Sequence, residues 1–445
     1  MSVAVRLYHQ AKSCLGRRLG DDASRLVLSL FFKAVFGIQR VFHFDSVEDT
    51  GLAILMGGKK VLGRKVLGRL VRAAPVRGVL RLVKRTEPQW HRGDGVDVSI
   101  DEHAVPRFTR KFSIRKGFHT IRNKKMKVEK LFYTFCVHAR KLASLVVTRG
   151  NGRLASVSQK LLPPLRRRLR GQTLRVILDA GAAQNHDELL KVACHPNQVT
   201  IVRVPRRRAY RTAWEKLPST AWERLEEPGP YKAAPPKVIH IAQTTTHLKG
   251  KKAEVDVRTV VVREEKARAK ERWHALWVFG DMTTPAYMLV QEFRTRQQHE
   301  QTHRKLLHDL FVDTALSGYD KRSPNLKRPG FKQNALTLYA WVTALAANAI
   351  EELEFTLPRR FLHAHPRTLR RWLFHVPADL YLSPTTLIVM LRPHHLGPLW
   401  AKLVAQTNRH PLRIPWLGDR RLLLALANVA SPAIEEPAIA PSLAA

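Results

Sequence analysis

TLRVILDAG, Thr173 to Gly181, is an apolar strand pattern that ends in an aspartate. GVDVSID, Gly95 to Asp101, has a similar form, because apolar and polar residues alternate until the run reaches Asp101. Ligands of open α/β sheets bind at strand ends, so Asp101 and Asp179 are candidates for a carboxylate site. Each also has a simpler interpretation: Asp101 could open a turn, and Asp179 could cap the following helix.

The segments around these two strands predict a mixed α/β sheet. Their order is strand, hairpin, helix, strand, helix, strand, which is typical of that class. The strands that end at Asp101 and Asp179 are the first and fourth of these patterns. The others are a hairpin turning near His138 to Lys141, a basic helix interrupted or begun at Pro163 and Pro164, a helix capped by Asn185 with Glu188 at capping-box spacing, and a strand over Gln198 to Pro205.

Changes in composition divide the chain into five parts. A long helix is expected from about Pro285 to Phe311, and the apolar run Ala335 to Ile350 reads as a buried helix. The parts are a helical DNA-binding region (1–92), the first part of a core (93–205), a β insertion (206–265), the second part of the core (266–352), and a C-terminal region (353–445) that includes the strand-like TTLIVML and a tail predicted to be disordered from about Ser431.

The N-terminal region contains the basic stretch GGKKVLGRKVLGRLVR, Gly57 to Arg72. A helix ending near Met56, a glycine turn and a second helix from about Arg64 would suit a helix-turn-helix, whose second helix enters the major groove. Arg64, Lys65 and Arg69 would then contact DNA. An ordinary amphipathic helix explains the same pattern, and both interpretations remain open.

The charge of the chain favours a polyanionic partner. Lys and Arg number 77 against 36 Asp and Glu, which gives a formal charge of +41. A field of that sign attracts nucleic acid over long distances, although a solvated basic surface is the alternative. The longest apolar run has 16 residues, short of the ~20 that span a bilayer, so no membrane partner is expected.

The cysteines and the N-terminus indicate a reducing cytoplasm. Cys14, Cys136 and Cys194 form no Cys-x-x-Cys pair, which disfavours disulfides and a cysteine zinc site. No secretory signal pattern opens the sequence.

HEQTH, His299 to His303, matches the short zinc-protease pattern. Two histidines four residues apart on a helix could bind zinc, with Glu300 as general base. The extended pattern fails, because Leu306 and Asp309 stand where a glycine and a third histidine are expected. Arg296, Arg304 and Lys305 lie close by in the sequence, and positive charges oppose a further cation. A solvated basic helix with incidental histidines is a second alternative.

Glu300 is instead a natural third carboxylate beside Asp101 and Asp179. Three carboxylates from two strands and a helix could hold two divalent cations, an arrangement that serves phosphodiester chemistry. Oxygen ligands favour Mg²⁺ or Mn²⁺ over zinc. Phe293, Arg296, Glu300 and Arg304 recur on one predicted helix face, so the two arginines could bind phosphates beside the metals.

These residues together resemble the DDE transposases of bacterial insertion sequences. The similarity is to members with a ribonuclease-H-like core and a β-strand insertion between the second Asp and the Glu. It covers roughly residues 40 to 350 and is strongest in four segments: SIDEHAVPRFTRKF, KLFYTFCVHARKLASLV, VILDAGA and FRTRQQHEQTHR. The family's three acids correspond to Asp101, Asp179 and Glu300.

The family's Tyr-x2-Arg-x3-Glu-x6-Lys signature is matched in part. Arg296 and Glu300 agree with it, whereas Phe293 replaces the tyrosine and Leu307 stands where the lysine is expected. Arg304 or Lys305 could supply the missing DNA contact.

The resemblance implies a transposase that cuts DNA at terminal inverted repeats and joins the 3′ ends to target DNA. It further implies two Mg²⁺ or Mn²⁺ ions, double-stranded DNA as partner, a homodimer in a synaptic complex and a place at the bacterial nucleoid. A non-catalytic basic DNA-binding protein, such as a decayed transposase acting as a repressor, is the first alternative. A zinc peptidase is the second.

Overall fold

The structure of the chain is a computed structural model that describes residues 1–88, 95–108, 114–119, 122–169, 172–228, 236–265, 272–314, 334–362, 364–393 and 396–427. It forms two compact units, Pro88–His303 and a second unit made of Met1–Glu87 with Arg304–Ala445. The tail from Ser431, predicted to be disordered, lies outside the described residues.

The unit that contains the N-terminus begins with helices. Its first five are α1 (Ser2–Leu19), α2 (Asp22–Phe36), α3 (Thr50–Leu55), α4 (Arg64–Ala73) and α5 (Val76–Thr86). In α4 the apolar positions Leu67, Leu70 and Val71 are buried, while the basic positions between them are exposed. This spacing of three and four residues makes α4 amphipathic.

The predicted turn between α3 and α4 begins at Gly57, whose φ of 78° lies in the left-handed region that glycine adopts without strain. The second helix begins at Arg64, as predicted. However, α3 has only 6 residues, and the link from Met56 to Gly63 is longer than the ~3–4-residue turn of a helix-turn-helix. The DNA-reading role of this region stays a prediction.

In its described residues, the unit Pro88–His303 contains a ten-stranded sheet and five α-helices. The strands are β1 (Gly95–Pro106), β2 (Lys116–His119), β3 (Lys124–Cys136), β4 (Lys141–Arg149), β5 (Thr173–Leu178), β6 (Gln198–Arg203), β7 (Trp222–Glu227), β8 (Lys237–Lys249), β9 (Glu254–Glu264) and β10 (Arg272–Phe279). The helices are α6 (Leu154–Leu169), α7 (His186–Ala193), α8 (Arg208–Glu215), α9 (Ala286–Arg294) and α10 (Arg296–Arg304).

The sheet has the strand order of a ribonuclease-H-like core. β1 pairs antiparallel with β3 and β3 with β4, whereas β5 lies parallel to β1 and β6 lies parallel to β5. The order β4-β3-β1-β5-β6, with these directions, confirms the mixed α/β class and the ribonuclease-H-like core. The hairpin predicted near His138 is the β3–β4 pair.

The insertion after β6 extends this same sheet. It begins with α8, then β7, β8 and β9 pair in series, and β10 joins β9 to β6 by antiparallel pairing. The strands predicted between 206 and 265 are therefore present, and they continue the core sheet beyond β6.

Helices cover both faces of the sheet. Alternate residues of β1, Val96, Val98 and Ile100, pack with α6 and α7 in one apolar cluster. On the other face, Val199 and Ile201 of β6 pack against Leu289 of α9. Because side chains alternate along a strand, odd-numbered residues of β6 share the α9 face.

Two helix predictions are corrected by the structure. α6 continues through Pro163 and Pro164, because Leu161, Leu162 and Leu165 are buried in the core and offset the hydrogen bonds that proline removes.

The helix predicted from Pro285 to Phe311 is broken at Thr295 into α9 and α10. The Thr295 hydroxyl donates to the Glu292 carbonyl at 2.6 Å, a back-bond that bends helices. A π-helical turn, Lys305–Asp309, follows α10. Phe293 is therefore not on one continuous helix with Glu300.

The C-terminal part of the second unit is described from residue 334 onward. It comprises α11 (Asn334–Thr356), α12 (Pro366–Leu369), α13 (Gly397–Arg409), and a sheet of β11 (Ala378–Leu382), β12 (Thr386–Leu391), β13 (Arg413–Ile414) and β14 (Arg420–Leu426) in the order β11-β12-β14-β13. α11 confirms the predicted buried helix, and β12 confirms the strand in TTLIVML. In the parts of the chain that the structure describes, no helix is both long and apolar enough to cross a membrane.

Candidate active site

Three strands bring charged residues into one row. Ile100 of β1 is paired with Leu178 of β5, and Leu178 is paired with Val202 of β6. The next residues along these parallel strands are Asp101, Asp179 and Arg203. Because neighbouring positions in a sheet point the same way, all three side chains lie on the face that carries α9.

The sequence predicted that Asp101 would follow the end of its strand, and this prediction is wrong. β1 continues to Pro106, because β3 goes on pairing with it after Asp101, which lies opposite Tyr133. What ends near Asp101 is the parallel pairing with β5. Asp179 does follow the last residue of its strand, as predicted.

Arg296 holds the three predicted acids together. Its Nη2 atom lies 2.7 Å from Glu300 Oε1 and 3.6 Å from Asp179 Oδ2, and its Nη1 atom lies 3.7 Å from Asp101 Oδ2. The Arg296 side chain is only 9% exposed. Residues from β1, the end of β5 and α10 therefore converge on a single guanidinium, which occupies the position that the sequence had assigned to metal ions.

Burial makes Asp101 costly to ionise. The pKa of Asp101 is raised to about 7 by the sum of several effects. Desolvation by burial is the largest cause, the positive charge of Arg296 opposes it, and the negative charges of Asp179 and Glu300 add to it. Asp179 Oδ1 is buried and, among the described residues, has no hydrogen-bond partner. Such an oxygen gains from any cation or donor that reaches it.

Sequence reasoning missed Arg203, a further cation close to Asp179. Burial lowers the pKa of Arg203, and the nearby charge of Asp179 raises it. The predicted strand over Gln198 to Pro205 contained the signal, because a parallel neighbour of β5 in the observed register places Arg203 beside Asp179. The register itself is not visible in one sequence.

The two histidines of HEQTH pack α10 onto the sheet. The His299 ring stacks on Phe135 with centroids 5.1 Å apart, and its Nδ1 atom is hydrogen bonded to the Ser99 hydroxyl. The His303 ring meets Tyr133 edge-on at 5.6 Å. Glu300, between them in sequence, is exposed and points toward the other acids.

A third buried imidazole, His103 of β1, lies 6.2 Å from the His303 ring. Burial lowers the pKa of His103 to about 4 and that of His303 to about 3, so both rings are neutral near pH 7. Across the described residues, no group of three His, Cys, Asp or Glu side chains is arranged to hold a metal ion as it stands. That holds for these histidines and also for the acids around Arg296.

The remaining predicted DNA contacts differ in their surroundings. The Lys305 ammonium is bound to Glu351 at 3.0 Å and to Glu354 at 3.1 Å, and Arg64 pairs with Asp45 at 3.2 Å. Arg304, Lys65 and Arg69 are exposed. These three are the predicted contacts whose cationic groups face solvent.

Comparison with known proteins gives a structural likeness only. No protein family and no curated protein matches the sequence. Among solved structures, the piggyBac transposase synaptic complex with hairpin DNA matches with 12% sequence identity and a TM-score of 0.44, covering 84% of this chain and 82% of that chain. At that TM-score the fold assignment rests on the strand order described above.

Proposed function

We propose that this protein is a DNA transposase whose strand-cutting site is formed by Asp101, Asp179 and Glu300. The observation that carries the proposal is the convergence of these three acids on one cationic position, from β1, the end of β5 and α10. Site chemistry, rather than fold alone, supports the assignment.

The acids suit divalent cations in their chemistry. All three offer carboxylate oxygens, which Mg²⁺ and Mn²⁺ prefer, and Asp179 Oδ1 is a buried oxygen with no partner in the described structure. Asp101, Asp179 and Glu300 would hold the ions once the Arg296 guanidinium gives up its place. When bound, such ions supply positive charge to the attacking and leaving oxygens of a phosphodiester.

The protein's own residues have definite tasks in this proposal. Until the ions bind, Arg296 keeps three mutually repelling carboxylates together, and afterwards its guanidinium is available to a neighbouring phosphate. Arg203 stands beside Asp179 and adds a second cation for the DNA backbone. His299 and His303 fix α10 on the sheet, so that Glu300 stays directed at the other acids.

The reaction would proceed in two transfers. Water attacks a phosphorus at the element's end, and the bond to the 3′ oxygen breaks to leave a 3′ hydroxyl. That hydroxyl then attacks a phosphorus of target DNA and displaces its 3′ oxygen. We also propose recognition of terminal inverted repeats, a dimer that pairs two ends and action at the bacterial nucleoid.

The test is strand cleavage of DNA that carries the gene's own flanking repeats, with and without Mg²⁺ or Mn²⁺. We expect cuts at the repeat ends that need the metal and disappear in Asp101→Asn and Glu300→Gln. Asp97→Asn on the same strand as Asp101 is the matched control and should cut normally. Metal-independent cutting, or cutting by the acid variants, would refute the proposal.

A second candidate function is DNA binding without cleavage, as in a repressor. The observation that favours it is Arg296, which neutralises the acids and fills their common position. This candidate predicts that wild-type protein binds the repeats with the same affinity in EDTA and in Mg²⁺ and never cuts them.

A further inference from the structure

At the side of the sheet farthest from the insertion, β3 pairs with β4 over most of its length and with β2 at its start, where the two form a short hairpin. The segment Arg107 to Val128, which includes it, contains nine Lys and Arg residues and no Asp or Glu. None of these residues was assigned a role from sequence. Their arrangement points to a binding surface.

The hairpin sets like charges against each other. Lys116 lies directly opposite Lys127, and Phe118 lies opposite Lys125. Residues two apart on a strand and their cross-strand partners share one face, so these four side chains form one surface. Like charges directly opposite each other destabilise a strand pair, and a bound polyanion would remove that repulsion.

Three lysines of the hairpin, Lys116, Lys124 and Lys125, face solvent. Glu129, the nearest acid along β3, is bonded to Arg107. Among the residues that the structure describes, no carboxylate forms an ion pair with Lys116, Lys124 or Lys125, which are all exposed.

The opposite face of the hairpin is packed against the protein, which fixes its direction. His119 is buried, and its Nδ1 accepts a hydrogen bond from the Arg122 backbone N–H at 3.2 Å. A Cβ atom on Gly117 would lie only 2.2 Å from the Gly150 carbonyl oxygen, so only glycine permits this close approach. The face that carries Lys116, Phe118 and Lys125 is therefore presented to solvent. Lys124 lies opposite His119 on the other face, but it is exposed because it is the first residue of β3, at the end of the hairpin.

Two exposed aromatic rings accompany the lysines. Phe108 is 75% exposed and Phe118 46%. The Arg122 guanidinium lies 4.9 Å from the centre of the Phe108 ring. Aromatic rings and arginines beside a basic strand are the usual platform on which unpaired bases stack.

Protection of a sheet edge is the simpler explanation of the lysines. Edge strands often carry lysine to prevent pairing with other chains. That explains Lys116 on β2, and it also explains Lys124 and Lys125, because the pairing of β1 with β3 begins only at Val128. It does not explain two exposed phenylalanines, which would favour aggregation.

We propose that this hairpin is a DNA-binding element that is separate from the three-acid site. Lys116, Lys124 and Lys125 bind backbone phosphates, and Phe108, backed by Arg122, stacks on a base that has left the helix. The inference rests on the proposed function in taking the polyanion to be DNA.

The test measures binding of the full chain to labelled DNA in EDTA, over a series of salt concentrations. The triple variant Lys116→Ala, Lys124→Ala, Lys125→Ala should bind a duplex at least about tenfold more weakly. It should also lower the slope of log affinity against log salt by about 2.7, at ~0.9 per lost phosphate contact. Circular dichroism establishes that the variant is folded.

The matched control removes three lysines from the β8–β9 turn. Lys249, Lys251 and Lys252 are exposed there, and the turn is bonded to Asp187 and flanked by Glu254. Their triple alanine variant should change affinity by less than about threefold. Equal losses in the two triple variants would mean that only total charge matters and would overturn the inference.

Phe108→Ala separates stacking from charge. Its binding to intact duplex should be unchanged, whereas binding to a duplex with one unpaired base should fall at least about fivefold. Phe355→Ala, which removes a ring of α11 that is 54% exposed, is the control for loss of an exposed ring. Equal effects of Phe108→Ala on both DNAs would overturn the stacking role.

Other outcomes distinguish this inference from the proposed function. If the wild type cuts repeat DNA while the hairpin triple binds and cuts like the control triple, only the hairpin inference fails. If the wild type binds no DNA, both fail. If the hairpin triple keeps its DNA affinity but loses binding to vesicles of anionic lipid, the surface serves a membrane and the inference is wrong.

Discussion

Arg296 shows how one side chain can have two interpretations. From sequence it was a phosphate-binding residue one helical turn from Glu300, because the spacing of the two residues places them on one face. The structure places the same guanidinium among three carboxylates, with the closest contact at 2.7 Å. Spacing along a helix predicts which residues are neighbours, but it does not predict which charge from a distant strand will meet them.

Replacing Arg296 should free the acids for metal. In Arg296→Gln we expect Mn²⁺ affinity, measured by calorimetry without DNA, to rise at least about tenfold, because a competing positive charge a few ångströms away is removed. The variant should also be less stable, since three carboxylates lose their common partner.

The control for this change is Arg294→Gln, which removes an arginine that pairs with Glu227 and Glu264 instead. Its Mn²⁺ affinity should equal that of the wild type. Unchanged Mn²⁺ affinity in Arg296→Gln would mean that Arg296 does not compete with the ions.

Lys33 gives a prediction about stability. Its side chain is buried in α2, and its Nζ atom donates to the Gln39 carbonyl at 3.1 Å and lies 5.0 Å from the centre of the Tyr339 ring. Burial lowers the pKa of Lys33 to about 7, against about 10.4 in an unfolded chain. Between these values the unfolded chain binds more protons, so this residue makes stability rise with pH from about 7 to 10.

Lys33→Met should therefore stabilise the protein at pH 7 by about 1–3 kcal/mol, since about 1.4 kcal/mol accompanies each pKa unit and the lost hydrogen bond offsets part of it. The increase in stability that Lys33 contributes between pH 7 and 10 should also be absent from the variant. Urea denaturation at several pH values measures both effects. Lys12→Met, at an exposed position of α1, should change neither, and a loss of stability at pH 7 in Lys33→Met would contradict the prediction.

At the scale of the element, α10 shows what a short motif can and cannot predict. HEQTH predicted that both histidines lie on one helix face, and that is correct. It gave no indication that this face lies against β1 and β3, where Ser99, Phe135 and Tyr133 meet the rings. Burial by distant strands turned two possible ligands into packing side chains.

His303 therefore serves stability more than chemistry. His303→Leu should keep DNA cleavage and change the free energy of unfolding by less than about 1.5 kcal/mol, because the volume is nearly conserved. His303→Ala should lower it by about 2–4 kcal/mol, because a cavity remains under α10. Denaturant unfolding and a cleavage assay measure the two effects.

Glu300→Gln should show the opposite behaviour to the His303 variants. It should keep the free energy of unfolding of the wild type and lose DNA cleavage. Loss of bound zinc in either His303 variant, detected by elemental analysis, would contradict the packing role.

The positions of strands could be predicted from the sequence, but the register in which neighbouring strands pair could not. The alternation in GVDVSID and the apolar run before Asp179 predicted β1 and β5, and the capping position Asn185 predicted α7, whose Glu188 N–H is bonded to it at 3.2 Å. The break at Thr295 was missed because apolar spacing continues across it. Arg203 was missed because only the parallel pairing of β5 and β6 brings it to Asp179.

At the scale of the whole molecule, scarcity of acids was the useful signal. With 36 acidic against 77 basic residues, the aspartates of the two apolar runs were conspicuous, and both lie near the Arg296 guanidinium that binds Glu300. Asp101 and Asp179 are 78 positions apart, and Glu300 is a further 121 away. The strand order of a ribonuclease-H-like sheet brings such distant residues together, and a resemblance could suggest that order where periodicity could not.

One measurement tests most directly the claim that these acids bind metal for DNA cleavage. Asp179→Cys replaces a carboxylate oxygen by a sulfur, which Mg²⁺ binds poorly and Mn²⁺ accepts more readily. Cleavage of the flanking-repeat DNA would be compared in the two metals, with Asp97→Cys as the control on the neighbouring strand.

We expect Asp179→Cys to be inactive in Mg²⁺ and to recover cleavage in Mn²⁺, while Asp97→Cys cuts in both. Equal activity of Asp179→Cys in the two metals would contradict a metal-binding role for Asp179 and, with it, the proposed site.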